Sequence, residues 1–131
     1  MKVEYLNDMT EGGKFKNVTS ENLIRLFDFD YSQTKKLASE ICQKLIIEKQ
    51  NLDLSKLDFI ELLNCKLILQ LSLTDKGILR TNESNTFICN LTKDTYKNVI
   101  EIMKAVEDGY NWLCDTSDHD IDFLYSSGGT W

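Results

Sequence analysis

Residues 65–74 read Cys-Lys-Leu-Ile-Leu-Gln-Leu-Ser-Leu-Thr, so Leu67, Leu69, Leu71 and Leu73 fall on every second position. Successive side chains of a strand point to opposite faces. A period of two therefore puts the four leucines on one face and Lys66, Gln70 and Ser72 on the other. Leaving such a row wet forfeits about 25 cal/mol for each Å² of apolar surface. The rest of the chain has to supply a layer that seals it.

Two amphipathic helices are available for that layer. The first spans about residues 31–48. Asp30 and Gln33 have the spacing of a capping box, in which each side chain satisfies a backbone N–H that the first turn leaves open. Leu37, Ile41 and Leu45 recur at i+4, and Ala38, Cys42 and Ile46 form the adjoining row of the stripe. The second helix starts after Thr92, with Leu91 and Tyr96 placed to form a hydrophobic staple. Its stripe is Tyr96, Val99, Ile100, Met103, Val106 and Tyr110, and Gly109 suits the left-handed position that ends a helix.

The other segments read as strands. Residues 23–29 place Leu23, Arg25, Phe27 and Phe29 on one face and Ile24, Leu26 and Asp28 on the other. Apolar residues on both faces mark an interior strand. Val3, Tyr5 and Leu6 suggest a short leading strand. Residues 55–63 read either as a short helix or as a strand over 59–63 that turns at Asn64 into the leucine strand. The short spacing favours the hairpin. Residues 86–91 form a strand with Phe87, Cys89 and Leu91 on one face, expected to pair antiparallel with the leucine strand because the connection is too short for a crossover helix. Ile121, Phe123 and Tyr125 alternate in a last strand, and Gly128-Gly129 would let Trp131 dock. Strands and helices do not alternate strictly. The expected fold is α+β: a mostly antiparallel sheet of about four to five strands with both helices on one face, leaving the other face open to solvent or to a partner. With no proline, linker or repeat, residues 1–131 read as a single domain.

The apolar content of 42% and charged content of 27% suit a globular domain. The apolar runs are far too short to span a membrane. Acidic residues interrupt the first positions, so no secretory signal is read and the expected compartment is the cytoplasm. Cys42, Cys65, Cys89 and Cys114 are widely spaced, as expected of buried reduced thiols. Fifteen basic against 21 acidic residues give a net charge of −6. That charge repels a phosphate backbone and favours encounter with a basic protein.

The chain has one histidine, His119, within Asp115-Thr116-Ser117-Asp118-His119-Asp120-Ile121-Asp122. Ser126 or Ser127 would complete a Ser-His-Asp set in composition, but no Gly-x-Ser-x-Gly elbow is present. The aspartates could gather a hard cation, yet the run lacks the central glycine and terminal glutamate of a calcium loop. Gly12-Gly13-Lys14 lacks the rest of a phosphate loop. No catalytic residue, metal site or cofactor is assigned. Aromatic side chains amid charge suit an interface instead. The candidate surface is Trp112, Asp115, Asp118, His119, Asp120, Asp122, Tyr125 and Trp131. The expected function is a non-enzymatic protein-interaction module, similar to immunity proteins and antitoxins in size and charge only. Two alternatives stand beside it. One is a small metal-dependent binder or hydrolase using the His119 segment. The other is a structural homodimer joined by a strand edge or a sheet face, marked by an exposed Leu26 or Ile68.

Overall fold

The computed structural model describes residues 1–7, 22–114 and 121–128. In chain order its elements are β1 (Lys2–Leu6), β2 (Leu23–Phe27), α1 (Tyr31–Ile41), β3 (Leu52–Asp53), β4 (Glu61–Leu62), β5 (Lys66–Leu71), β6 (Gly77–Arg80), β7 (Thr86–Leu91), α2 (Lys93–Ala105), β8 (Tyr110–Cys114) and β9 (Asp122–Ser126). The fold is α+β. The strands divide into two mixed sheets rather than forming one antiparallel sheet. A five-stranded sheet has the order β4-β1-β2-β9-β8 and a four-stranded sheet the order β3-β5-β7-β6.

The leucine strand is β5, but its row is only partly sealed. Leu67 and Leu69 are buried, Leu71 is half-buried, and Leu73 lies past the strand end with 99% of its surface exposed. β5 pairs with β7 in parallel, not antiparallel as the short connection suggested. That connection holds an extra strand. Gly77 opens β6 at φ +73°, a conformation costly for any residue with a Cβ. β6 then runs antiparallel to β7 on its far side. Two backbone bonds, Ser72 to the Leu91 carbonyl and Lys76 to the Asn90 carbonyl, carry the chain across the end of β7. β7 thus returns between β5 and β6, in the direction of β5.

The expected hairpin between residues 59–63 and β5 does not form. β3 pairs antiparallel with β5 instead. Leu54–Lys56 make a 3₁₀ turn, started by the Asp53 carboxylate accepting from the Ser55 amide at 2.9 Å. β4 pairs in parallel with β1, in the other sheet. Asn64 explains that choice. Its Oδ1 accepts from the Tyr5 amide and its Nδ2 donates to the Tyr5 carbonyl, both at 2.8 Å. A side-chain amide here continues the β1–β4 ladder.

Both helix starts follow the local chemistry. Asp30 and Gln33 form the reciprocal capping box, with the Gln33 amide 2.8 Å from Asp30 Oδ1. α1 passes into a π-helical segment, Cys42–Ile47, that keeps Leu45 buried and turns Ile47 outward. Thr92 caps α2 by accepting from the Thr95 amide. Asp75, in the β5–β6 connection, strengthens that cap. Its two oxygens accept from the Thr92 amide and the Thr95 hydroxyl, each at 2.7 Å. Burial pushes the Asp75 carboxyl up, but these bonds outweigh it and hold the carboxyl below its usual range. α2 ends earlier than its stripe suggested. Val106 is the C-cap, and Gly109 at φ +92° turns the chain into β8. Tyr110 is therefore a half-exposed strand residue, not a helix core position.

One continuous core draws on both sheets and both helices. Val3, Ile24, Leu26, Phe123 and Tyr125 enter from the five-stranded sheet, and Leu67, Leu69, Phe87, Cys89 and Leu91 from the other. The rings of Tyr5 and Phe87 meet at 4.7 Å and join the two sheets. The helices add Leu37, Ile41, Tyr96, Val99 and Met103. The Tyr96 hydroxyl reaches the strand carbonyls of Gln70 and Cys89, at 2.7 and 2.8 Å, so its one proton is satisfied deep in the core. Among the described residues no helix is long and apolar enough to cross a membrane.

Candidate functional site

The five-stranded sheet has a second face, turned away from the helices. Its members follow from the register. Glu4, Arg25, Leu124 and Trp112 lie side by side across β1, β2, β9 and β8. Leu6, Leu23 and Asp122 form the next row. Glu61, Lys2, Phe27, Ser126 and Tyr110 form the row on the other side.

This outer face has a small apolar centre and a charged, aromatic surround. Leu23 and Leu124 are fully buried, with Leu6 and Trp112 packed against them. Beside them Arg25 meets Glu4, with Nη2 at 2.8 Å and Nε at 3.0 Å from Glu4 Oε1. The Arg25 guanidinium also lies 4.1 Å from the centre of the Phe27 ring. Charge pairing and a ring contact together hold the arginine in one pose. Their side chains are only 16% and 22% exposed, so water screens this pair less than one at the rim. At the rim Lys2 pairs with Asp28 at 3.1 Å; that bond raises the Lys2 ammonium above its usual value.

The structure separates the residues singled out from the sequence. Trp112 and Asp122 share this outer face, two strand positions apart in register. Tyr125 does not join them. It points into the core, fully buried, where its hydroxyl meets Thr34 Oγ1 at 2.6 Å and its ring stacks on Phe29 at 4.1 Å. As a binding residue it is corrected to a core residue: Phe123 and Tyr125 take the inner side of β9, leaving Asp122 and Leu124 outside. Phe29 is corrected as well. Asp28 at φ +55° breaks the alternation after β2, so Phe29 turns inward instead of lying beside Leu23. Asp115, Asp118, His119, Asp120 and Trp131 lie outside the described residues.

Glu4, Arg25, Phe27 and Tyr110 belong to this face and were not among the candidates. The signal for two of them was present. The period of β2 already placed Arg25 and Phe27 beside Leu23, and a lone cation in an apolar strand calls for a partner. That partner, Glu4, comes from the short leading strand, whose place beside β2 only strand pairing decides.

The edge of this sheet is closed to strand addition near Trp112. β8 is the outermost described strand on that side. The Trp112 amide donates to its neighbour's Asn111 Oδ1 at 2.9 Å, and the ladder shifts between Trp112 and Cys114. A satisfied amide and a bulge both discourage another strand from joining. Among the described residues no three His, Cys, Asp or Glu side chains gather where they could hold a metal ion. Of the two markers for a sheet-face homodimer, Leu26 is 2% exposed and Ile68 is half-buried. Compared with known proteins, the chain matches no family model, no curated protein and no solved structure.

Proposed function

We propose that this chain is a non-enzymatic interaction module of the cytoplasm, and that the outer face of its five-stranded sheet receives a basic protein partner. The carrying observation is the arrangement of Tyr110, Trp112 and Phe27 around the Arg25–Glu4 pair. Tyr110 is 49% exposed, and Phe27 and Trp112 are half-buried. Aromatic rings held rigidly around a small desolvated centre are the side chains that carry binding energy at interfaces.

Charge supports a basic partner. Among the described residues, the face and its rim hold the carboxylates of Glu4, Asp28, Glu61 and Asp122 against the cations of Lys2 and Arg25. The local surplus has the same sign as the chain's net charge of −6. Complementary charge speeds encounter and rejects wrong partners more than it adds affinity.

The test is affinity capture from the source cell with the native chain and with Trp112→Ala/Tyr110→Ala. The double variant should stay folded by circular dichroism, at a melting temperature lowered by the lost packing of Trp112 on Leu23 and Leu124, and lose the captured protein, with affinity falling by more than about 2 kcal/mol, the range of an anchor residue. Equal capture by both would remove the sheet face from the reading. No capture by either, across low and moderate salt, would remove the interaction module itself.

A further inference from the structure

Another exposed aromatic side chain begins α1, in the helix layer on the inner side of the five-stranded sheet. Tyr31 is 59% exposed and borders hollows along the seam between α1 and α2. In one hollow, of about 320 Å³, Phe29 and Val106 provide apolar wall and Asp30 and Glu107 stand at the margin. In the next, of about 440 Å³, Ala38, Cys42 and Ile100 provide the wall and Lys35 and Lys104 the margin. The seam thus changes sign at Tyr31, from two carboxylates to two ammonium groups. The helices that make it run antiparallel: the start of α1 meets the end of α2 in the first hollow, and later α1 residues meet earlier α2 residues in the second.

A partner of uniform charge would be attracted at one end of this seam and repelled at the other. A surface with the same reversal of sign fits both ends, and this chain carries one. In a two-fold contact the same patch appears on both subunits, so residue i meets j and j meets i. We propose that the helix seam docks on a second copy of this chain, with Tyr31 at the two-fold axis and Asp30 and Glu107 of each protomer opposite Lys35 and Lys104 of the other. The apolar walls of the two hollows then cover each other, and Tyr31 meets its own copy. This face lies behind α1, whose inner side packs on Tyr125 of the five-stranded sheet. The dimer therefore leaves the outer sheet face free, and it stands or falls independently of the partner proposed there.

Charge reversal tests the pairing directly. Lys35→Glu/Lys104→Glu makes both ends of the seam acidic. Asp30→Ser/Glu107→Lys makes both ends neutral or basic, and serine keeps the α1 cap. Sedimentation equilibrium of the native chain should show a monomer–dimer equilibrium. Each variant alone should dimerise at least about tenfold more weakly, as like charges face each other across the axis. An equimolar mixture should restore a heterodimer. A separate variant, Tyr31→Cys, should give a disulfide-linked dimer on mild oxidation that the native chain does not form. A native chain that stays monomeric over a wide concentration range overturns the proposal. So does a dimer that tolerates both charge variants, a mixture that fails to associate, or a dimer that Tyr31→Cys does not cross-link.

Discussion

Tyr125 shows how one side chain can satisfy a core and still depend on a single polar contact. Its phenol is buried against Phe29 and shares a hydrogen bond of 2.6 Å with Thr34 Oγ1. Tyr125→Phe leaves the Thr34 hydroxyl buried without that partner, which costs about 1–3 kcal/mol. Adding Thr34→Val removes the orphan, so the double variant should be more stable than Tyr125→Phe alone. Urea denaturation of the four proteins in the cycle measures this; additive losses would contradict it. Burial also pushes the Tyr125 phenol up to about 12 and the Cys65 thiol from 9.0 up to about 11. Both native pKa values lie above the unfolded ones, so the folded state holds these protons more tightly. Their contribution to stability is complete below the unfolded value of 9.0 and fades as pH rises towards 12. Denaturation midpoints measured at rising pH should therefore fall across that window, and a midpoint unchanged up to pH 11 would count against it.

At the scale of elements, periodicity identified the long segments and missed what depends on partners. The capping box at Asp30 and the cap at Thr92 are where local spacing placed them, because a helix start is satisfied within one turn of chain. β6 is only four residues long and has no period of its own to read. Missing it reversed the expected direction of β7 against β5. Residues 59–63 had the same weakness. A two-residue strand is decided by which edge it meets, and the Asn64 amide meets β1. The leucine row marks the limit of pattern reading. Leu69 and Leu73 look equivalent in a period of two, yet one is buried and the other stands in water. Leu69→Ala should cost about 2–5 kcal/mol through lost burial and a cavity. Leu73→Ser should change stability by less than about 0.5 kcal/mol. Thermal melts of the two variants check this, and comparable losses would show that the row is sealed along its whole length.

In the whole molecule, two sheets and two helices share one core. The Tyr5–Phe87 contact and the Tyr96 hydroxyl both cross between elements far apart in sequence. A core shared this way predicts all-or-none unfolding, as expected of a single domain. Trp112 fluorescence, read in a Trp131→Phe background so that it reports on β8, and far-ultraviolet circular dichroism, which reports on the whole backbone, should give one denaturation midpoint. Two separated midpoints would divide the chain into independent units. The outer sheet face and the helix seam also exist only at this scale. The Glu4–Arg25 pair from the start of the chain lies beside Trp112 and Leu124 from its end only because β2 pairs in parallel with β9.

The sequence by itself determined the α+β class, both helices with their starts, and the interior character of β2. Each of these rests on interactions within a few residues or on a period that any partner layer would respect. Only the tertiary structure decided the division into two sheets, the parallel return of β7, and the side of the sheet on which Tyr125 and Trp112 fall. Those depend on which edges meet and where a single left-handed residue breaks an alternation. Backbone hydrogen bonds between strands carry no residue code of their own, so that choice is made by packing across the molecule.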